Sequence, residues 1–524
     1  MSPSTKYRIS DSVKFGNKFI RRLDLTPSKR LHIANTALYA MKTGQWGVIS
    51  NIAEQFIISR TFVYMLAATL TETESLIFGT TFQYTQSKMT AFRYMLSLKL
   101  EGRCSINAIS TCMKRFGINL NSIGSISEYL SYFGSLLSNT LSTNNNEIQL
   151  IVFLSDEIFS KNIPILVTVD PISSAILRIE LADSRKAKKW ANHWECIEDN
   201  GYLSAYLVCD EGKGLVTAQK ETLSNTFRQL DTYHAIAHRL GMWVHILENS
   251  AYKAIEEEDG CYKKLNSAKS DRVINKRIDQ YETAEKLANK KIELYEEFNS
   301  LYIAIINELK IFDKNGKLRD RKDAENNLEE YLSLIEILNH EKITKAVKKV
   351  RNTMPDLFNY FDVAKSIVAD LKTLPIDQEA LHAISLAWQW KKGKIKAKKT
   401  KAKTYCAANE QNCLEYAIGY LQEDYEDVKD QIYNKLNNIV QSSALVECIN
   451  SIIRPYLNTS KNNVTQETLN LIMFYHNHRR YKDGERKGHT PIEILTGEKQ
   501  EKDWIELLFD VVNKKAPSFF ATIS

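Results

Sequence analysis

The chain of 524 residues has no apolar run long enough to cross a membrane, and it begins without the apolar segment that a secretory signal needs. These two absences predict an intracellular protein that does not enter a membrane. The eight cysteines are scattered and include no Cys-x-x-Cys pair. We therefore expect reduced thiols rather than a disulfide framework or a zinc finger.

Positive charge is concentrated at the N-terminus, although the formal net charge of the whole chain is only +7. The first thirty residues hold two acidic side chains, Asp11 and Asp24, against the basic set Lys6, Arg8, Lys14, Lys18, Arg21, Arg22, Lys29 and Arg30. A basic arm over residues 1–30 favours a polyanion such as nucleic acid as partner. A solvated tail has the same composition, and that alternative stays open.

Residues 31–142 are predicted to form short helices joined by tight turns. In VISNIAEQFIISRTFVYMLAATL, apolar residues recur at helical spacing on both sides of a short turn, and Ser59 is placed to cap the second helix. This spacing is typical of a helix-turn-helix, whose second helix presents its first exposed residues, here Arg60 and Thr61, to the major groove of DNA. A plain helical bundle would give the same pattern.

After the polar linker LSTNNNE the pattern becomes that of strands. The runs IQLIVFLSDEIF, NIPILVTVDP and SAILRIELAD predict three strands, followed by an amphipathic helix and a fourth strand, LSAYLVCDEGKG. Residues 148–246 are therefore predicted to form an α/β core whose first and fourth strands are buried on both faces. Over residues 247–430 the strand signal disappears, and long charged helices predict an all-α domain.

Three acidic residues are candidates for chemistry. Asp156 and Asp210 each follow an apolar strand run, at the edge of the sheet where α/β folds usually keep their sites. Glu447 lies in SSALVECINSIIRPY on a polar stripe with Asn450 and Arg454. Beside it is an apolar stripe at helical spacing that is expected to face a core, made of Leu445, Ile449, Ile452 and Tyr456. Carboxylates brought together need a cation, and hard oxygen ligands suit Mg²⁺ or Mn²⁺. Taken singly, each acid is weak evidence, because an acidic residue in such a position is more commonly an ordinary surface residue.

The order strand-Asp, strand-Asp, insertion, helix-Glu resembles the DDE transposases and integrases, which have a ribonuclease-H-like catalytic core. The matching pieces are FLSDEIF, LVCDEGKG, ALVECINSIIRPY and FYHNHRRYKDGERKGHTPIEILTG, the last being similar to the closing part of many bacterial transposase cores. DTYH, residues 231–234, is similar to the [C/D]-x-x-H signature of Mutator-like and hAT-like transposases. The zinc-binding N-terminal module of many such enzymes has no counterpart in this chain.

The resemblance implies a mixed five-stranded sheet with flanking helices, interrupted by the all-α insertion at 247–430. The core would resume over residues 431–497, and residues 498–524 would form a C-terminal tail. Asp156, Asp210 and Glu447 would be the catalytic residues and would hold two Mg²⁺ or Mn²⁺ ions. Two ions so held activate an attacking oxygen and stabilise the leaving oxygen of a phosphodiester.

Contacts with DNA are predicted for polar, basic and aromatic side chains in all parts of the chain. They are Arg60, Thr61, His234, Trp388, Trp390, Lys391, Lys392, Lys394, Lys396, Lys398, Lys399, Asn450, Arg454, Arg479 and Arg480. The lysines would bind phosphates. The two tryptophans would either belong to the core or stack on an extruded base. His234 would orient the active-site edge or contact DNA, and zinc binding with His238 is a third interpretation.

The resulting hypothesis is a DNA transposase that binds the terminal inverted repeats of a transposon and its target DNA, and that acts as a homodimer or higher oligomer. It would be nucleoid-associated in the cytoplasm of a bacterium, or nuclear in a eukaryote. The alternatives are a domesticated DNA-binding protein without cutting activity and a ribonuclease-H-like nuclease such as a resolvase. The intact carboxylate set disfavours the first alternative, and the transposase-like closing segment disfavours the second.

Overall fold

The computed structural model describes residues 24–78, 80–143, 147–223 and 226–521. The predicted basic arm falls mostly outside these ranges, and its described end is helical because Thr26 caps a helix that starts at Pro27. Within the described ranges, no helix combines the length and the apolar character needed to cross a bilayer. All eight cysteines lie in described parts of the chain and carry free thiols, which confirms that part of the prediction.

Most of the described chain is helical, with one sheet of five strands. The strands are β1 (Gln149–Ser160), β2 (Ile163–Val169), β3 (Ile176–Leu181), β4 (Tyr202–Cys209) and β5 (Arg228–Leu230). The helices before β4 are α1 (Pro27–Thr43), α2 (Val48–Gln55), α3 (Arg60–Phe78), α4 (Thr80–Leu100), α5 (Ile106–Arg115), α6 (Ile123–Ser135) and α7 (Ala187–Glu198).

The helices after β4 include the long run between β5 and residue 436. They are α8 (Lys213–Thr222), α9 (Gly241–Asn266), α10 (Asp271–Glu308), α11 (Arg321–Ile337), α12 (Glu341–Leu357), α13 (Tyr360–Leu371), α14 (Gln378–Lys396), α15 (Thr400–Leu421), α16 (Tyr425–Leu436), α17 (Ala444–Thr459), α18 (Gln466–His478), α19 (Pro491–Thr496), α20 (Trp504–Lys515) and α21 (Pro517–Ala521). A π-helix occupies Tyr233–His238.

The chain divides into two compact units. The first comprises the described parts of 1–102, residues 106–129 and the described parts of 508–524; the second comprises residues 103–105 and 130–507. Residues 498–524 are not the plain tail that we predicted, because they include α20 and α21. Leu508 and Val512 are fully buried within the first unit, so apolar packing orders this segment.

In the first unit, α1, α2 and α3 pack around a small apolar core that includes Ile33, Ile52 and Val63. The predicted cap is confirmed, since the Ser59 hydroxyl accepts a hydrogen bond from the N–H of Phe62 at 3.1 Å. Arg60 and Thr61, at the start of α3, are exposed.

In the second unit, the strands lie in the order β3-β2-β1-β4-β5. β2 is antiparallel to both β1 and β3, whereas β4 is parallel to β1 and to β5. The sheet therefore has the mixed five-stranded form that the sequence predicted. Apolar residues dominate β1, β2 and β4 because both faces of the sheet are covered.

Helices α7 and α17 pack against opposite faces of β1. Trp194 of α7 donates its indole N–H to Ser155 at 3.0 Å, whereas Asn450 of α17 donates to the adjacent Asp156 at 2.8 Å. Successive side chains of a strand point to opposite faces, so these two contacts fix the two helices on opposite sides. Asp156 consequently faces α17.

The buried face of α17 is rotated from the predicted one. We expected Leu445, Ile449, Ile452 and Tyr456 to face the core, but Leu445 and Ile452 are only half-buried. Val446, Ile449, Asn450, Ile453, Tyr456 and Leu457 are the buried residues. Aliphatic side chains cover a wide arc of this helix, so packing against β1 and β2 decides which of them are covered.

The helices between Gly241 and Leu436 form the predicted insertion, and they extend slightly beyond the predicted 247–430. They share one apolar core, which also includes Leu230 of β5 and Ala235 and Ile236 of the π-helix. The insertion is therefore packed directly onto the end of the sheet.

Substitution of Gly134 in α6 would test how closely the second unit is packed. A Cβ at Gly134 would collide with the backbone carbonyl of Glu467 in α18, and a backbone atom cannot move aside cheaply. We expect Gly134→Ala to lower the free energy of unfolding by about 1–3 kcal/mol in urea denaturation. Gly260→Ala in α9 is the matched control, because a Cβ there meets open space. It should stabilise the protein by up to about 1 kcal/mol, and equal effects of the two substitutions would contradict the packing.

Candidate active site

The register of two parallel strands brings Asp156 and Asp210 side by side. Leu154 of β1 lies opposite Val208 of β4, and each aspartate comes two residues later in the chain. Asp210 directly follows β4, as predicted. Asp156 does not follow its strand as we expected but lies inside β1, where it is paired with Val167 of β2. Because β1 continues past Asp156 to Ser160, strand residues lie before and after Asp156 in the chain.

Glu447 projects from the first turn of α17, and the start of that helix is held by a buried carboxylate. Asp231, which is fully buried, accepts hydrogen bonds from the backbone N–H of Ser443, at 3.1 Å, and from its hydroxyl. Ser443 immediately precedes α17. Asp231 itself continues from β5, and its N–H donates to the carbonyl of Cys209 at 3.1 Å. The site of Glu447 is thus tied to the strand ends.

Asp156 lies in a strongly acidic environment. Burial is the largest cause raising its pKa to about 7, and the negative charges of Asp210, Glu157 and Glu447 raise it further, against a hydrogen bond from the backbone N–H of Glu157. All three predicted carboxylates are therefore close enough to influence one another. Like charges held in this way favour either a proton or a cation at the site.

Glu157 is a fourth acid that the sequence reasoning missed. Its pKa is raised, first by burial and then by the charge of Asp210, while the hydrogen bond from Arg185 at 2.9 Å lowers it. The second carboxylate oxygen of Glu157 is buried and has no hydrogen-bond partner among the described residues. The dipeptide Asp156-Glu157 was the available signal. Adjacent residues of a strand point to its two opposite faces, and both acids lie close enough to Asp210 to be affected by its charge.

Asn450 is not directed outward at DNA as we predicted. It is only 2% exposed, and its amide nitrogen donates to Oδ2 of Asp156 at 2.8 Å. A buried amide has little access to a DNA backbone. Its position three residues after Glu447 puts both side chains on one face of α17, so Asn450 reaches the aspartate while Glu447 stays 44% exposed.

His234 links two carboxylates. Its Nδ1 lies 3.1 Å from Oδ2 of Asp231, and its Nε2 lies 3.2 Å from Oε1 of Glu447. The hydrogen bond with Asp231 is the largest cause raising the pKa of His234 to about 9, and the charges of Asp231, Glu447 and Asp210 add to it against desolvation. Burial raises the pKa of Asp231, but the hydrogen bonds from His234 and Ser443 outweigh it and the net shift is downward.

This arrangement gives the DTYH motif a local role. His234 lies in the π-helix, an irregularity often found at functional sites, and it holds the carboxylate of Glu447 at the edge of the site. That agrees with the orienting role among the roles considered for His234. Its ring centre is 6.1 Å from that of His238, but across the described ranges no group of three or more His, Cys, Asp or Glu side chains is arranged to hold a metal ion.

The aromatic residues predicted to stack on a base have partners in the insertion. Trp388 is 4% exposed, belongs to the apolar core and donates its indole N–H to Asn437 at 2.9 Å. For Trp388 the structure supports the core interpretation, so the predicted contact of this residue with a base is wrong. Trp390 is half-buried and meets the edge of Tyr405, with ring centres 5.7 Å apart.

The lysines between residues 391 and 399 differ in whether they have partners within the protein. Lys391 is 2.9 Å from Glu485, and Lys394 pairs with Glu410. Lys392 lies over the ring of Trp388, and burial lowers its pKa to about 8. These three lysines are engaged within the protein. Lys398 and Lys399, at the junction of α14 and α15, are exposed. Lys396 exposes part of its side chain, but burial of its ammonium group lowers its pKa.

The three predicted arginines also differ from one another. Arg454 is exposed on α17. The guanidinium of Arg479 lies between the rings of Tyr475 and Tyr481, 5.7 and 5.6 Å from their centres. Arg480 donates to both carboxylate oxygens of Glu493 at 2.9 Å, so it supports the fold and is not an open DNA contact.

The Thr-Pro-x-Glu sequence of the closing segment has a structural explanation. Thr490 caps α19 and forms a reciprocal pair of hydrogen bonds with Glu493, while Pro491 takes the first helical position. Glu493 also receives Arg480, which comes from the end of α18. This motif therefore organises the chain after α18 and does not belong to the acidic site.

Comparison with known proteins identifies no relative: no protein-family model matches the chain, and no curated protein matches it.

The pairing of His234 predicts a pH-dependent stability. Its pKa is about 9 in the folded protein, above the usual value of about 6.5, so the stabilisation is fully present below about pH 6.5 and is lost as the pH rises through 9. In EDTA, the melting temperature of the parent should exceed that of His234→Asn most at about pH 6, and the difference should shrink towards pH 10. His245→Asn, at an exposed position of α9, controls for the loss of an imidazole. A difference that stays constant with pH would refute the pairing.

Proposed function

We propose that the chain is a DNA transposase of the DDE type, with a ribonuclease-H-like core interrupted by an all-α insertion in the Mutator-like or hAT-like manner. One observation carries this proposal. The parallel register of β1 and β4 sets Asp156 beside Asp210, and α17 brings Glu447 into electrostatic range of Asp156. The mixed five-stranded sheet and the helices between β5 and α17 agree with the fold that the resemblance implies.

The carboxylates of the site have the donor chemistry that suits two Mg²⁺ or Mn²⁺ ions, although no three acidic side chains among the described residues are yet arranged to hold one. The donor set is made of carboxylates, which are the hard oxygen ligands that these ions prefer. The accumulated negative charge that raises the pKa of Asp156 is the charge that a divalent cation would offset. Asp156, Asp210 and Glu447 would hold the ions, which when bound would activate the attacking oxygen and stabilise the leaving oxygen of a phosphodiester.

The surrounding residues prepare this set. Asp231 fixes the start of α17 through Ser443 and orients His234, which in turn holds Glu447. Because Nε2 of His234 and a metal ion would compete for the carboxylate of Glu447, we expect this pair to separate when ions bind. Arg454, two helical turns beyond Glu447 on the exposed side of α17, is the arginine best placed to meet a DNA backbone there.

Other parts of the chain supply the DNA contacts of a transposase in this proposal. The exposed start of α3, with Arg60 and Thr61, would read the terminal inverted repeats. The exposed lysines Lys398 and Lys399 would bind phosphates of the transposon end or the target DNA. Joining two transposon ends to one target requires two active sites, so the active form would be a homodimer or a higher oligomer.

Loss of Glu447 is the test of catalysis. Glu447→Gln keeps the shape and most of the hydrogen bonding but removes the charge of one ligand. We expect cleavage of labelled DNA carrying the sequences that flank the gene, in Mg²⁺ or Mn²⁺, to fall by more than roughly 100-fold, the upper end of what the loss of an outer-sphere partner costs.

The controls separate catalysis from folding and binding. Glu256→Gln, an exposed substitution on α9, should cut like the parent. Binding of the Glu447→Gln protein to the same DNA should persist, because other residues carry it. Undiminished cutting by this variant would remove Glu447 from the active site, and absence of cutting by the parent on every flanking sequence would remove the transposase proposal.

Sequence recognition by α3 has its own test. Arg60→Ala should weaken binding to the end sequence by about 1–3 kcal/mol and leave the salt-dependent binding to random DNA unchanged. Lys42→Ala, at an exposed position near the end of α1, is the control for simple loss of a positive charge. Equal losses on both DNAs would make Arg60 a phosphate contact, and no loss on either would remove α3 from the interface.

A further inference from the structure

The amide of Asn450 has one satisfied end and one unsatisfied end. Its nitrogen donates to Asp156 Oδ2 at 2.8 Å, but its carbonyl oxygen is buried and has no hydrogen-bond partner in the described parts of the chain. Buried polar atoms nearly always have a partner, because leaving one without a partner costs free energy. The carbonyl oxygen of Asn450, next to Asp156, is therefore available to a donor that arrives with something bound at the site.

The orientation of the amide is determined by the aspartate. A carboxylate accepts hydrogen bonds and donates none, so the nitrogen of Asn450 must face an ionised Asp156 and its carbonyl oxygen must point elsewhere. Asp156 Oδ1 is already occupied by the backbone N–H of Glu157 at 2.9 Å. Each oxygen of Asp156 thus accepts one hydrogen bond, which fixes the rotation of the carboxylate.

A contrasting asparagine shows that an unsatisfied amide is not a general feature of this unit. Asn470 of α18 is 6% exposed, and its nitrogen donates to the carbonyls of Gly134 and Leu137 at 3.0 and 3.1 Å. Its oxygen accepts from Gln466 at 2.8 Å. Both ends of Asn470 are satisfied by the fold, whereas one end of Asn450 is not.

We propose that Asn450 is a positioning residue of the metal site: its nitrogen sets the orientation of Asp156, and its carbonyl oxygen accepts a hydrogen bond from a water of the hydrated divalent ion. This inference rests on the proposed function and names a residue of the site beyond the three carboxylates. Mg²⁺ usually keeps several waters, and each is a hydrogen-bond donor. Partners outside the first coordination shell commonly orient the ligands and tune the affinity of a metal site.

Two substitutions separate this role from simple filling of space. Asn450→Leu has similar size and removes both the donor and the orphaned acceptor. Asn450→Asp keeps the acceptor oxygen but sets a negative charge against Asp156. In EDTA the Leu variant should therefore melt close to the parent, while the Asp variant should melt at a lower temperature because of charge repulsion.

Metal binding gives the decisive readout, and Mn²⁺ alone is the probe. The loss of the free-ion EPR signal on titration with protein reports its affinity without any cleavage. We expect Asn450→Leu to bind Mn²⁺ roughly 10–100-fold more weakly than the parent, the usual cost of losing an outer-shell partner. Asn450→Asp should gain more melting temperature from saturating Mn²⁺ than the parent gains, because the ion then relieves the added repulsion.

Asn470→Leu is the matched control, and it should lower the melting temperature and leave Mn²⁺ affinity unchanged. Glu447→Gln should weaken Mn²⁺ binding, which would show that the measured binding is at this site. Parent-like Mn²⁺ affinity of Asn450→Leu would overturn the role of Asn450 while leaving the proposed function intact. Should the Leu variant fail to fold, a smaller Mn²⁺-induced gain in the Asp variant than in the parent would overturn it. A folded parent that binds no Mn²⁺ would overturn the proposed function together with this inference.

Discussion

The candidate active site depends on one buried carboxylate, that of Asp231. It accepts hydrogen bonds from the Ser443 backbone and hydroxyl and from His234, and its own backbone N–H joins it to the end of β4. Ser443 lies 212 residues further along the chain. A single ionised group therefore joins the two halves of the core that the insertion separates. A buried carboxylate is stable only when donors surround it, so the position of α17 and the ionisation of Asp231 support each other.

The acids of the candidate site have few positively charged side chains beside them. Asp156 and Asp210 are neighbours because β1 and β4 are parallel and in register, and Glu157 and Glu447 add to the same field. The nearest charge compensation is peripheral. His234 holds Glu447 and Arg185 holds Glu157, while the donors to Asp156 among the described residues are an amide and a backbone N–H. The centre of the cluster is left with the strongest tendency to take up a proton or a cation.

The insertion contributes more than a spacer between the two halves. Its apolar core continues into β5 and the π-helix, so the insertion packs directly against the edge of the sheet that carries Asp231 and His234. Gln229 of β5 donates to the carbonyl of Leu357 at 2.9 Å and accepts the N–H of Tyr360 at 2.7 Å, which ties the strand to α12 and α13. The rigidity of the site is therefore supplied partly by helices that lie far away in the sequence.

The sequence alone determined the elements whose pattern is local. Alternating and apolar runs predicted four strands and the helix between them, and the Ser59 cap predicted the start of α3. The strand pattern singled out Asp156 and Asp210, and the polar stripe of its helix singled out Glu447. The tertiary structure alone decided that Asn450 is buried against Asp156, that Asp231 reaches Ser443, and that Trp388 and Arg480 have structural partners. It also decided that α21 and most of α20 belong to the first unit. Local periodicity limits a residue to one of a few faces, but α17 carries aliphatic side chains over a wide arc. Only the surface of β1 and β2 against which it packs selects the face, and with it the partners of each polar side chain.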